Sequence, residues 1–197
     1  MKKKLLIAAA CATFVLGAVA VYNNPTINKR ITERFTREIY VEVPVEREPE
    51  TPSPEQQHIS RYITGRYSRT PVEIAKLISA EIIKQSEAHD LPPVLITAII
   101  EQESLFNSSA TSQITGTKDT AKGLMQIYKA ESIEVDQDQA YDLSYNISVG
   151  CQILKKKLEL NNGNLEKALS NYSGNTEGYT SGIYENVGRI TLYGSKF

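Results

Sequence analysis

Leu91-Pro92-Pro93-Val94-Leu95-Ile96-Thr97-Ala98-Ile99-Ile100-Glu101-Gln102-Glu103-Ser104 is the stretch around which the rest of the chain arranges itself. Paired prolines suit a helix start, where their fixed φ is helical and no backbone N–H is needed. The residues that follow are apolar on nearly every side rather than along one stripe, the pattern of a central, buried helix ending near Phe106 and Asn107. Two carboxylates close it. Glu101 and Glu103 are about 200° apart around a helix of 3.6 residues per turn, so they face different surroundings. A carboxyl at the end of so apolar a helix is partly desolvated, which raises its pKa and keeps it protonated near neutral pH. Periodicity does not choose between the two.

Working upstream, Thr70-Pro71-Val72-Glu73 reads as a helix start, with a capping Thr, a first-turn Pro and Glu three residues after the cap. The expected helix runs from Pro71 to about Ala88 and buries Val72, Ile74, Ala75, Leu77, Ile78, Ile82 and Ile83. Downstream, residues 107–122 are rich in Ser, Thr and Gly and read as a loop. Gly123 to Ala130 restarts periodic structure, and further helices fit 145–160 and 164–172. No convincing alternating strand follows residue 60. The expected fold is mainly α, a single domain over residues 61–197 with at most a small sheet.

The 197 residues, 41% apolar and 23% charged, suffice for one packed domain plus appendages. Lys+Arg 22 against Asp+Glu 23, scattered along the chain, gives no phosphate-neutralising stripe, which excludes nucleic acid as a partner. Cys11, Cys151, His58 and His89 do not form a metal-ligand pattern, so no metal and no cofactor is expected.

Lys2, Lys3 and Lys4 before an uncharged run from Leu5 to Tyr22 have the layout of an export signal, so the protein is expected in the periplasm or cell envelope. Ala18-Val19-Ala20 fits a signal-peptidase site. The run also sits at the lower limit for spanning a bilayer, with the lysines holding its start in the cytoplasm, so residues 1–22 read as either a cleaved signal or an inner-membrane anchor. Lipid attachment at Cys11 is a third reading, with an apolar core shorter than signals usually have. Residues 23–60 are expected to be a linker: Pro44, Pro49, Pro52 and Pro54 alternate with glutamates and leave little to bury. Within it, Ile39, Val41, Val43 and Val45 alternate like a short strand.

Glu103-Ser104-x-Phe106-Asn107-x-x-Ala110-x-Ser112 followed by Gly123-Leu124-Met125-Gln126-Ile127 resembles the soluble lytic transglycosylase family. Asn146-Ile147-x-x-Gly150, Ala168-Leu169-x-x-Tyr172 and Tyr184-x-x-Val187 resemble later family segments in the same order, and the match spans about residues 71–190. The resemblance implies a lysozyme-like fold with a groove for peptidoglycan glycan strands and Glu103 as the single catalytic acid and base. By the same resemblance Ser104, Ser112, Met125, Gln126, Tyr172 and Tyr184 form the substrate-binding set, with Ser104 positioning the loop or the acid, Met125 and Gln126 lining the groove and the two tyrosines bordering it. Two departures stand out. The segment from Ser112 to Gly123 is longer than usual and carries Asp119, which in a goose-lysozyme-like muramidase would position water and turn the reaction to hydrolysis. Tyr172-Ser173-Gly174 replaces a commoner Tyr-Asn-x-Gly. A transglycosylase, a muramidase using Glu103 with Asp119, and a catalytically idle glycan-binding module are the three readings, to be separated by product chemistry.

Overall fold

The computed structural model describes residues 51–114, 116–128 and 133–194. The expected export segment and the linker up to residue 50 lie outside the described residues. Six helices and one two-stranded sheet make up the described part: α1 (Pro54–Arg66), α2 (Val72–His89), α3 (Pro93–Ser104), β1 (Thr111–Gln113), β2 (Thr120–Lys122), α4 (Leu143–Leu160), α5 (Leu165–Tyr172) and α6 (Tyr179–Thr191). This is the mainly α architecture expected from the sequence.

The hub is α3. Every residue from Leu95 to Glu101 is buried, as is Ser104, and α2 and α6 pack against it. The first addition to the sequence expectation is α1, which falls at the end of the expected linker. Its start signal is explicit: Ser53 Oγ accepts from the Gln56 amide at 3.1 Å, and Pro54 opens the first turn. Ile59, Tyr62 and Ile63 then bury at i, i+3 and i+4. The linker therefore ends before Pro54 rather than at Ser60, because three well-spaced apolar residues anchor a helix that prolines and glutamates hide in composition. Against it, α2 begins one residue later than expected, with no side chain capping it. Val72 and Leu77, expected in the core, are 55% and 57% exposed; Ala75, Ile78 and Ile82 carry the buried stripe.

The second addition is α6. Its Gly and Ser/Thr content weakens helix propensity, yet Tyr179, Ile183, Asn186 and Ile190 form a buried line at i, i+4, i+7 and i+11. Asn186 Nδ2 donates to the Ala98 carbonyl at 3.2 Å, fastening α6 to α3. Gly182 makes the close approach: a Cβ there would lie 2.9 Å from Gln102 Oε1. The end of α1 also meets the segment after α6, since a Cβ on Gly65 would run into the Tyr193 hydroxyl.

Residues 107–122 are not all loop. Thr111–Gln113 and Thr120–Lys122 pair antiparallel, Ser112 opposite Ala121, in a hairpin too short and too polar to show as alternation. The periodic segment expected from Gly123 is corrected too: 123–126 is a turn, closed by the Lys122–Ile127 bridge. Asn146 on α4 holds that turn in place. Its Oδ1 accepts from the Met125 amide at 2.8 Å, while Nδ2 donates to the Lys122 and Ala140 carbonyls at 2.8 and 2.7 Å.

Candidate active site

The two carboxylates at the end of α3 have separate environments. Glu101 is 2% exposed and faces α1. The Tyr62 hydroxyl lies 2.8 Å from both of its oxygens, and the Tyr67 hydroxyl also donates to it. Arg66 Nε and Arg189 Nη2 approach Oε1 at 3.9 and 3.7 Å. Four groups thus compensate one buried charge, as a structural carboxylate requires. Burial, reinforced by the hydrogen bond to Glu101, pushes the Tyr67 phenol up to about 12.

Glu103 faces the α5–α6 corner. Among the described residues its hydrogen-bond partner is Tyr179, whose hydroxyl donates to Oε1 at 2.5 Å. Burial pushes the Glu103 carboxyl up from 4.5 to about 7, and the Tyr179 hydrogen bond works in the opposite direction. Burial and the neighbouring Glu103 charge both hold the Tyr172 phenol well above the ordinary tyrosine range. A group that titrates near neutrality can both give and take a proton there.

Just beyond the acid the backbone turns sharply. Leu105 (φ 51°) and Phe106 (φ 61°) are consecutive non-glycine residues in the left-handed region, a conformation that costs about 1–2 kcal/mol per residue. Phe106 repays this by burying to 2% exposure against Tyr67, with ring centroids 5.0 Å apart. Strain of this kind gathers where surrounding packing overrides local preference.

The residues expected to line the groove divide into several roles. The Met125 side chain is fully buried, so it fills core instead of lining a groove; it sits where a Cβ on Gly150 would come 2.4 Å from its sulfur. Gln126 (φ 48°) uses its amide internally, donating to the Ala110 and Gly123 carbonyls at 3.2 and 2.8 Å and accepting from Ser112 Oγ at 2.6 Å. Gln126 and Ser112 together tie the hairpin to the 123–126 turn. Ser104 is 8% exposed and donates to the Ile100 carbonyl at 3.0 Å, so its hydroxyl serves its own helix. Tyr172 donates to the Met125 carbonyl at 2.9 Å and sits beside Glu103. Tyr184 is 49% exposed, and the tyrosine bonded to the acid is Tyr179. Sequence reading missed Tyr179 because the chain holds eleven tyrosines and nothing in the spacing marks this one. Asp119 lies exposed in the hairpin loop, where its Oδ2 accepts from the Tyr128 hydroxyl at 2.7 Å.

The family model for the transglycosylase SLT domain matches residues 80–179, half of the chain. The chain belongs to this family. An SLT domain is a lytic-transglycosylase-type, peptidoglycan-acting domain of the lysozyme-like superfamily. The matched part of the SLT domain holds Glu101, Glu103, the 123–126 turn and Asn146, and it ends at Tyr179. Tyr62, Arg66, Tyr67 and Arg189, which compensate Glu101, all lie outside it. In this SLT domain the flanking helices therefore complete the electrostatics of the central one. Among the described residues, no group of three or more His, Cys, Asp or Glu is placed to hold a metal ion.

Proposed function

We propose that the chain cleaves the β-1,4 bond between N-acetylmuramic acid and N-acetylglucosamine, leaving 1,6-anhydromuramoyl ends, with Glu103 as the single acid and base. The observation that carries this is the Glu103 carboxyl, held near neutrality by burial and oriented by one phenol. Protonated Glu103 gives its proton to the glycosidic oxygen as the C1–O bond breaks through an oxocarbenium-like state. The carboxylate so formed takes the proton of the muramoyl C6 hydroxyl while O6 bonds to C1. The proton count closes on one carboxyl, and water does not attack. Tyr179 and Tyr172 fix the acid and the 123–126 turn beside it.

The layout of residues 1–22 supports export, and on this reading the enzyme works in the periplasm or cell envelope, released or held by its N-terminal segment. The domain that acts runs from Pro54, joined to that segment by the acidic, proline-rich stretch.

The test is digestion of purified sacculi by the full chain, followed by mass spectrometry of the released muropeptides beside a Glu103→Gln control. Anhydro ends that disappear in the control are the expected result. Reducing ends, heavier by one water, would instead establish hydrolysis, and undiminished release by Glu103→Gln would remove Glu103 from the mechanism.

A further inference from the structure

Beside the turn that follows Glu103 lies a cleft of about 600 Å³, walled on one side by Arg66–Pro71, the end of α1 and its connection to α2, and on the other by Ser104–Ser108. That volume falls within the range of small-ligand sites. Among the described residues its charged lining side chains are Arg66 and Arg69, and no carboxylate lines it. Arg66 shares the single charge of Glu101 with Arg189, and Arg69 makes no ion pair among the described residues. The wall is therefore positive in a chain whose net charge is −1. Its floor is apolar, from Tyr67, Phe106 and Ile74, while Ser68, Thr70, Asn107 and Ser108 offer hydrogen-bonding groups. An occupant that satisfies all three features is anionic, partly aliphatic and rich in amides.

We propose that this cleft seats the acidic peptide stem carried by muramic acid, with Arg66 and Arg69 receiving stem carboxylates. The proposal rests on the peptidoglycan reading and adds a subsite to it. The cleft lining begins at Ser104, next to Glu103 in the chain, so a stem would have to pass the Leu105–Phe106 turn to enter it. Guanidinium groups suit carboxylates because their fork gives paired hydrogen bonds. Most of the positive wall lies on the α1 side, outside the matched family segment, so stem recognition is a property added by the flanking helix.

The test separates this proposal from the catalytic one. Binding of a free stem tetrapeptide is measured by calorimetry in the full chain carrying Glu103→Gln, where no cleavage interferes. Saturable binding is expected, weakened about tenfold or more by Arg69→Gln and to a similar degree when the peptide carboxylates are amidated. In the chain with Glu103 intact, the ratio of cleavage rates on stem-bearing over amidase-denuded strands should fall about tenfold in Arg69→Gln, in line with one lost charged contact. Absence of peptide binding, an affinity indifferent to Arg69→Gln or to amidation, or Arg69-dependent binding to phosphatidylglycerol vesicles in place of the peptide would each overturn the proposal. Peptide binding that persists while sacculi stay intact would instead count against Glu103 and leave the cleft assignment standing.

Discussion

The two sides of α3 solve opposite problems with the same side chain. On the α1 side, Glu101 is almost fully buried and meets two phenols and two guanidinium groups. On the α5–α6 side, Glu103 meets one phenol and is left short of compensation, so its carboxyl rises to about 7. What separates the two carboxyls here is the number of donors supplied by neighbouring elements. Position on the helix sets only which neighbours each carboxyl meets.

Exchanging the two carboxylates for neutral groups should split activity from stability. Glu103→Gln is expected to lower cleavage of sacculi by a factor of about 10²–10⁴, the usual contribution of a positioned acid–base group, with urea unfolding little changed. Glu101→Ala should leave buried phenols without their acceptor and destabilise by about 2–4 kcal/mol, read from the urea midpoint. Equal losses of stability in the two variants would erase the distinction.

The pH response sharpens the contrast. Glu103 must be protonated before the bond breaks, so cleavage should decline as pH rises through about 7. Its folded pKa lies above the ordinary 4.5, so the folded state holds the proton more tightly than the unfolded chain does. Stability from this group is present in full below 4.5 and is lost as pH rises to about 7, a loss that Glu103→Gln should abolish. Tyr179→Phe removes the hydrogen bond that lowers this pKa, so the alkaline limb should move to higher pH while kcat falls about tenfold.

Smaller effects are expected away from α3. Gly150→Ala would press a methyl onto Met125 and should destabilise by about 1–3 kcal/mol, partly offset by better helix propensity, in a thermal melt. Asp119→Asn, at an exposed loop carboxylate bound to Tyr128, should change the rate on sacculi less than twofold, and should leave the product ends unchanged. A large loss there would bring the hairpin into the chemistry.

The central helix and the paired carboxylates were legible in the sequence because an unbroken apolar run is a strong local signal. Which carboxylate faces which environment was not, since Tyr62, Tyr67 and Arg189 come from distant segments and Tyr179 arrives 76 residues after the acid it contacts. The motif around Met125 and Gln126 did not show the direction of its side chains: Met125 turns inward and Gln126 bonds its own loop. Helix α1 was missed because composition outweighed a clear Ser53-Pro54 cap, and α6 because its buried line is interleaved with glycine and hydroxyl residues.

The contact between Gly65 and Tyr193 carries a kinetic consequence. It joins the first described helix to the far end of the chain, and Arg189 on α6 reaches the same buried carboxylate as Tyr62 on α1. Contacts of such long sequence separation form late, after the entropy of closing the intervening chain has been overcome. A chain delivered from its N-terminus can build α1 to α3 early, but Tyr179 and Arg189 come last, so the acid acquires its orientation only when the final helix docks. Assembly order thus leaves Glu103 without its Tyr179 hydrogen bond until α6 has docked.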